Sequence, residues 1–497
     1  MTTTSLSTPL SDTVEPFILA IDIGSTGTRA GVFDGRARPV QGFRTKVPHA
    51  FTTVANGTSI IDPDQVVTEI SDALDTVLGG FPADITGVAI DTFASSLVGV
   101  DSSRQAITPC YTYADSRPAP QVNYLKSILN EDEVQQRTGT RQHTGYLPAR
   151  FLWLQQNDPG TFGRVTRWMS LGGYAWLRLI GTTAAGTSTA AWTGMLNRAE
   201  GTWDTALCEL VGVDKDSLSQ IAPPSSPLEA VHDVSGRWPR LANAVWFAPI
   251  SDGHAQSIGA GSTDSGTMVL SAATSGAMRV LVDADVTNLP RGVWCNRIDE
   301  RRSILGGALN DVGRAFTWLE DTLRLPPQDE IDAYLADDPK PGLPVVLPWF
   351  SGERSTGWVG EARAVFHRVS AATTPLEIYR GTTEGIAFSY ARMLRELALV
   401  TGQPQEILAT GRISVGNPAL MQMVADVTGA PVIPLTLKRS TLRGTALHAT
   451  EVLAPDIEPA AAPRGGTFQP VDSRYGYYHR RMERFGVIYD KVIAHAN

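Results

Sequence analysis

Asp22-Ile23-Gly24-Ser25-Thr26-Gly27-Thr28-Arg29 is the stretch whose reading decides the fold. The apolar run Phe17-Ile18-Leu19-Ala20-Ile21 before it reads as a buried strand, and Arg29-Ala30-Gly31-Val32-Phe33-Asp34 returns as a second, so the two form a hairpin. Its glycines allow close approach of backbone to a ligand. Its Ser and Thr hydroxyls, with exposed N–H groups, make a concave nest for phosphate oxygens. An Asp at the preceding strand end can hold Mg²⁺ directly or through its waters. An ordinary Gly-rich hairpin would need only a two-residue turn, whereas this one reads as longer and hydroxyl-rich.

Outward from the hairpin, Pro63 to Leu78 reads as a helix. Asp62 is its N-cap, Pro63 its first turn, and Val66, Ile70, Leu74 and Val77 recur at helical spacing. Ile85 to Ile90 reads as the next core strand, completing a hairpin–helix–strand order of α/β type. Residues 120–210 read as mostly helical, with Trp153, Trp168 and Trp176 as packing residues. After the break at Pro223-Pro224-Ser225-Ser226-Pro227 a second α/β block follows. It has a helix near 253–262, strands near 267–272 and 277–283, and helices near 311–325 and from Pro375 to Val400. The halves echo each other. Ile21-Asp22-Ile23-Gly24 parallels Ile250-Ser251-Asp252-Gly253, and the Gly24–Thr28 turn parallels Ala272-Ala273-Thr274-Ser275-Gly276, which hints at a duplicated fold.

Composition bounds the rest. The 497 residues are 42% hydrophobic and 19% charged, which is globular and too apolar for disorder. A formal net charge of −9 without a Lys/Arg run leaves no electrostatic footprint for nucleic acid or an anionic membrane. Cys110, Cys208 and Cys295 are far apart, with no zinc or disulfide pattern. Met1 to Pro16 lacks the features of a secretory signal and reads as a disordered tail; no apolar run is long enough to span a bilayer. A cytoplasmic protein is expected. Neither a Gly-Lys dipeptide nor GxGxxG occurs, so phosphates would be held by hairpin turns rather than by one loop–helix junction.

On these residues the chain resembles the sugar-kinase/Hsp70/actin superfamily and, within it, the FGGY carbohydrate kinases. Asp22 to Asp34 is similar to the first phosphate motif, and Ser251-Asp252-Gly253-His254-Ala255-Gln256 to the catalytic-Asp segment. Ser271-Ala272-Ala273-Thr274-Ser275-Gly276-Ala277-Met278-Arg279 is similar to the second phosphate motif. Leu305 to Asp311, Pro348 to Ser355, Glu384 to Ala387 and Met421 to Gly429 resemble further blocks, in family order. The resemblance implies two ribonuclease-H-like (actin-like ATPase) domains around an interdomain cleft. They would span 17–245 for sugar binding and the first phosphate turn, and 246–497 for ATP binding and the catalytic Asp.

The resemblance also distributes roles. On the residues alone, Asp252 suits either a helix N-cap or a base in reach of an acceptor hydroxyl; the family pattern favours the base, with Gly253 beside the acceptor. Asp22 and Asp252 would hold Mg²⁺. ATP would meet Gly24, Ser25, Thr26, Thr28 and Arg29 on one side and Thr274, Ser275 and Gly276 on the other. Asn310 and Gly313 are further nucleotide-side candidates. Adenosine would sit against Gly411 and Arg412, where Thr410 and Arg412 depart from the family's glycine run. Ala273 likewise replaces a usual glycine. The sugar site would come from Ser95, where relatives carry His or Glu, and from Asp115 and Arg117 of Tyr113-Ala114-Asp115-Ser116-Arg117. Arg117 or Arg150 could meet a carboxylate.

The implied activity is ATP-dependent phosphorylation of a small sugar or sugar acid. Gluconate is favoured, because Thr108 to Arg117 is closest to gluconate-type members. Xylulose, another ketopentose or a polyol is the alternative. An Hsp70- or actin-like ATPase would need a peptide-binding or polymer segment that is not seen, and a silent sugar sensor fits poorly with Asp22 and Asp252 both present. A homodimer remains open.

Overall fold

The computed structural model describes residues 6–494. Strands β1 (Ile18–Gly24), β2 (Gly27–Phe33) and β3 (Pro39–Val47) form an antiparallel meander, followed by helix α1 (Pro63–Leu78) and strand β4 (Gly87–Thr92). Helices α2 (Leu147–Asn157) and α3 (Leu171–Ile180) belong to a long insertion. The chain then returns through β5 (Val245–Trp246) and β6 (Ile250–Ser251), both parallel to β4, into helix α4 (Asp252–Ala260). The spacing explains α1: Val66, Ile70, Leu74 and Val77 are all buried against the sheet, and the Asp62 side chain accepts from the N–H groups of Asp64 and Gln65.

The second half repeats this order. Strands β7 (Thr267–Ala272), β8 (Gly276–Asp283), β9 (Trp294–Arg297) and β10 (Arg302–Leu309) are antiparallel neighbours in the order β9-β10-β8-β7. Helices α5 (Gly313–Thr322) and α6 (Pro375–Thr401) precede β11 (Glu406–Thr410). Then come α7 (Pro418–Thr428), β12 (Val432–Pro434), α8 (Ser440–Leu453) and α9 (Asp472–Tyr489). Strands β11 and β12 extend the sheet in parallel with β7, as β4 and β6 extend the first sheet from β1. The repeated topology is the actin-like ATPase fold that the family resemblance implies.

Helix α8 locks the halves together. It follows the second sheet, yet its Leu442, Ala446 and Ala449 pack with Ile18, Ala20, Phe33 and Ala89 of the first. It also lies against α4, where a side chain at Gly444 would collide with the Ala255 carbonyl and one at Gly259 with the Ser440 carbonyl. These glycines are required by close helix approach.

The structure corrects four expectations. The β1–β2 ladder continues to a Gly24–Gly27 pair, so the first turn is a two-residue turn, Ser25-Thr26, and its length carries no functional information. Strands β5 and β6 belong to the first sheet, so a division at residue 245 cuts through it. For the same reason the counterpart of β1 is β7, and the apparent echo at Ile250 to Gly253 is the first sheet's last strand. Part of the expected tail is fixed: Ser7 Oγ and Thr8 N both donate to the Pro39 carbonyl, and Thr8 bridges Val40. Residues 1–5 lie outside the described residues. The 120–210 segment is helical with short strands interleaved, and Trp168 and Trp176 are buried. Among the described residues no helix is long and apolar enough to cross a membrane.

Candidate active site

Three carboxylates converge where parallel strands end. In the sheet register Asp22 on β1 lies beside Asp91 on β4, and Asp91 lies beside Ile250 on β6, two residues before Asp252. Carboxyl ends of parallel strands are where α/β sheets collect ligand groups. Ser251 caps α4, its Oγ accepting from His254 N at 3.2 Å, so the cap is supplied without the Asp252 side chain. Burial pushes the Asp252 carboxyl up to about 6, against the opposing pull of Arg279 and with the Asp22 charge adding to the rise. Asp22 is raised by burial and held back by Arg29, whose Nη1 donates to its Oδ2 at 2.7 Å. Asp91 is raised well above the ordinary range by complete burial and by the Asp22 charge. Its Oδ2 accepts from Thr445 Oγ1 of α8 at 2.5 Å, and its carboxyl meets that of Asp22. Of the pair, Asp91 is raised further, because it is wholly buried and lacks the arginine that holds Asp22 back.

A buried relay supports the first turn. His49 bonds the Gly24 carbonyl through Nε2 at 2.8 Å and Glu69 Oε2 through Nδ1 at 2.7 Å. Thr28 Oγ1 and Gln65 Nε2 donate to the same carboxylate at 2.9 and 2.8 Å. Thr28 therefore buttresses the turn from within, while Ser25 and Thr26 are exposed at its tip. Arg29 also donates to Thr26 Oγ1, at 3.2 Å.

The second turn, Ala273-Thr274-Ser275, is exposed. Gly313 and Arg314 donate their N–H groups to the Ala273 and Thr274 carbonyls, so Gly313 braces this turn from behind. A Cβ there would sit 2.6 Å from the Ala273 carbonyl. Gly276 is required because Tyr390, whose hydroxyl bonds the Ser271 carbonyl at 2.8 Å, fills the space of a side chain. Asn310 donates to the carbonyls of Ser351 and Gly352, holding a neighbouring loop. Gly411 has φ of 96° and abuts the Ala272 carbonyl, which joins its segment to the second turn. Arg412 is exposed beside it.

Around Ser95, Asp115 and Arg117 the bonding is largely internal. Asp115 and Arg117 form a tight internal pair, with Arg117 Nη2 at 2.5 Å from Asp115 Oδ2 and the guanidinium 4.3 Å over the Trp153 ring. Asp115 also accepts from Ser59 N. Arg150 is buried and its two Nη groups donate to the carbonyls of Ser95, Thr112 and Thr144, tying three loops together. Ser95, at φ 56°, donates to the Trp192 carbonyl at 2.5 Å, and Trp192 packs on Gly253. Tyr113 and His143 border this region; burial pushes His143 down to about 3, so it is neutral.

Sequence reasoning gave no role of their own to Asp91 or Arg279, and missed the His49–Glu69 relay. An acidic residue inside a wholly buried strand was the available signal for Asp91. The others are distant in sequence from what they serve.

Carboxylate oxygens are hard donors suited to Mg²⁺, which keeps most of its waters and is usually bound with substrate phosphates rather than in an all-protein cage. Among the described residues no group of three or more His, Cys, Asp or Glu could hold a metal ion alone. Asp22 and Asp252 fit a cation that arrives with nucleotide phosphates and waters.

The model for the FGGY family of carbohydrate kinases, N-terminal domain, matches residues 17–234, and that for the C-terminal domain matches residues 262–451. Gluconokinase of Bacillus subtilis (strain 168) is 24% identical over 439 residues, covering 84% of each chain. Gluconate kinase from Lactobacillus acidophilus superposes with a TM-score of 0.90 at 22% identity, covering 96% of this chain and 98% of its own. Xylulose kinase from the same organism gives 0.90 at 23%, covering 96% and 99%.

Proposed function

This chain belongs to the FGGY family of carbohydrate kinases, and on that premise we propose that it transfers a phosphoryl group from ATP to a hydroxyl of gluconate or a closely related sugar acid. It is a phosphotransferase, and ATP is the donor used by its family. The observation that carries the chemistry is the placement of Asp252 at the mouth of α4, beside Asp22 and Asp91, with its carboxyl raised to about 6. Such a group is ionised at neutral pH yet basic enough to accept the acceptor hydroxyl's proton as the oxygen attacks phosphorus.

The two turns are the phosphate cradle. Ser25 and Thr26 offer hydroxyls and N–H groups from the first half, and Thr274 and Ser275 from the second. Arg29 is placed to leave Asp22 for a phosphate oxygen. Gly411 and Arg412 border the adenosine. Mg²⁺, held by Asp22 and Asp252, would neutralise charge developing on the phosphates. Bringing the halves together around the acceptor excludes water, the competing nucleophile. Asp115, Arg117 and Ser95 then act mainly by shaping the acceptor loops.

The likeness to gluconokinase supports a sugar acid; the equal fold likeness to a xylulose kinase makes a ketopentose the second reading. A coupled ADP-release assay over sugar acids, ketopentoses and polyols tests it. The highest kcat/KM is expected for a sugar acid. A clear preference for xylulose transfers the assignment to the second reading, and no turnover with any of them overturns both.

A further inference from the structure

The backbone on either side of Asp252 is tied to a segment that belongs to neither of the two large sheets. That segment runs from Gly186 through a short helix, Thr187–Ala191, to Trp192, within the long insertion. Gly186 N and Thr189 Oγ1 both donate to the Pro249 carbonyl, at 3.2 and 2.5 Å. Ser188 Oγ accepts from Ser251 N at 3.1 Å and bonds His254 Nδ1, also at 3.1 Å. Trp192 packs on Gly253, where a Cβ would meet its ring at 3.0 Å. Between Pro249 and His254, only Ile250 and Asp252 are not held from this side, and Ile250 is paired with β4.

Ser188 is the centre of this bracket. It is buried, and its one hydroxyl joins the residue before Asp252 to the residue two after it. His254 closes the ring of bonds, because its own N–H donates to Ser251 Oγ at 3.2 Å. The three side chains thus fix the first turn of α4 from both ends of Asp252. The imidazole is buried and its Nε2 has no hydrogen-bond partner among the described residues. An unmet ring nitrogen makes histidine a poorer filler of a buried space than an apolar side chain. Its bond to Ser188 is what an apolar residue could not make. The same segment also reaches the loops around Ser95. Ser95 Oγ donates to the Trp192 carbonyl, and Leu147 N donates to the Thr193 carbonyl at 2.9 Å.

We propose that Ser188 and His254 are positioning residues for phosphoryl transfer, setting where the Asp252 carboxylate stands against the acceptor hydroxyl while touching neither substrate. The proposal rests on Asp252 as the base, the reading above. A base must stand about 2.6–3.2 Å from the oxygen whose proton it takes, and a displacement near 1 Å costs roughly 100-fold. A loosened bracket therefore shows in kcat and leaves KM in place.

The test uses the full chain with ATP and gluconate, or xylulose if the acceptor assay prefers it. Ser188→Ala removes one oxygen and should lower kcat by roughly 10- to 100-fold, with both KM values within about threefold of wild type. His254→Asn keeps a polar atom at the same reach from the backbone as Nδ1, whereas His254→Leu fills the space without one. His254→Asn should therefore stay within about fivefold of wild-type kcat, and His254→Leu should fall with Ser188→Ala. A packing role predicts the opposite order, because leucine suits a buried space better than an amide. His254→Leu turning over as fast as His254→Asn overturns the proposal, as does a loss carried by either KM. Adding His254→Leu to Ser188→Ala should lower kcat by no more than about threefold further, and losses that multiply overturn the shared bracket. Asp252→Asn separates the proposal from its premise. If it removes turnover while Ser188→Ala keeps wild-type kcat, the bracket alone fails; if it leaves turnover near wild type, the base reading fails and the bracket with it.

Discussion

Replacing His49 with phenylalanine isolates the support of the first phosphate turn. The His49 ring is buried between the Gly24 carbonyl and the Glu69 carboxylate, and touches neither nucleotide nor acceptor in the account above. Phenylalanine keeps the ring's bulk and its stacking on Phe51, whose ring centre is 6.4 Å away. It removes one hydrogen bond to a carboxylate and one to a backbone carbonyl. With about 1.5–3 kcal/mol for the charged bond and about 0.5–1.5 for the neutral one, the expected cost is about 2–5 kcal/mol. For a half of this size that lowers the melting temperature by roughly 5–15 °C. The functional effect follows from geometry, because the turn's N–H groups and hydroxyls lose their fixed position. A displacement near 1 Å costs roughly 100-fold in a positioned reaction, so kcat/KM for ATP should fall by roughly 10- to 100-fold, while the acceptor KM at saturating ATP changes little. Thermal melting and a coupled ADP assay with ATP titrated at fixed acceptor read both effects. Wild-type melting with wild-type ATP kinetics would refute the relay; an equal rise in acceptor KM would refute its confinement to the phosphate turn.

The remaining predictions concern the seam and the carboxylates. Gly444→Ala drives a methyl group into the Ala255 carbonyl, where only backbone can yield, and should cost about 1–3 kcal/mol or more with reduced soluble yield; unchanged melting would contradict the close α4–α8 contact. Asp91→Asn tests the raised carboxyl. Because its folded value lies above the ordinary 3.8, the folded state binds the proton more tightly than the unfolded state. Its stabilising contribution is complete below about pH 4 and is lost as pH rises through the folded value. Wild-type melting should therefore decline as pH climbs out of the acid range, and the Asn variant should decline less; parallel pH–melting curves would refute the assignment.

Much of the fold was legible because it rests on local rules. The capped helix at Pro63, the paired strands around Asp22 and the strands near 267–283 follow from periodicity and capping, and the structure has them within a few residues. The boundary was not legible, because whether Val245 to Ser251 ends one sheet or opens another is decided by its pairing with β4, a contact made across more than 150 residues of sequence. The site divides in the same way. Asp22 and Asp252 announce themselves by standing at strand ends near glycines. Asp115 and Arg117, two residues apart, suited either acceptor contacts or a pair with each other; the fold pairs them and sets Arg117 over Trp153. Arg279 reads in sequence as one polar position in a strand. That Arg279 acts on Asp252 is visible only once β8 and α4 are brought together.

Asp252→Asn measures the central claim most directly. It preserves size and the start of α4 while removing the basic carboxylate. Phosphoryl transfer to the preferred acceptor should fall by roughly 100- to 10,000-fold, with ATP binding by equilibrium titration kept within a few-fold of wild type. Turnover within a few-fold of wild type would contradict Asp252 as the base on which the account depends.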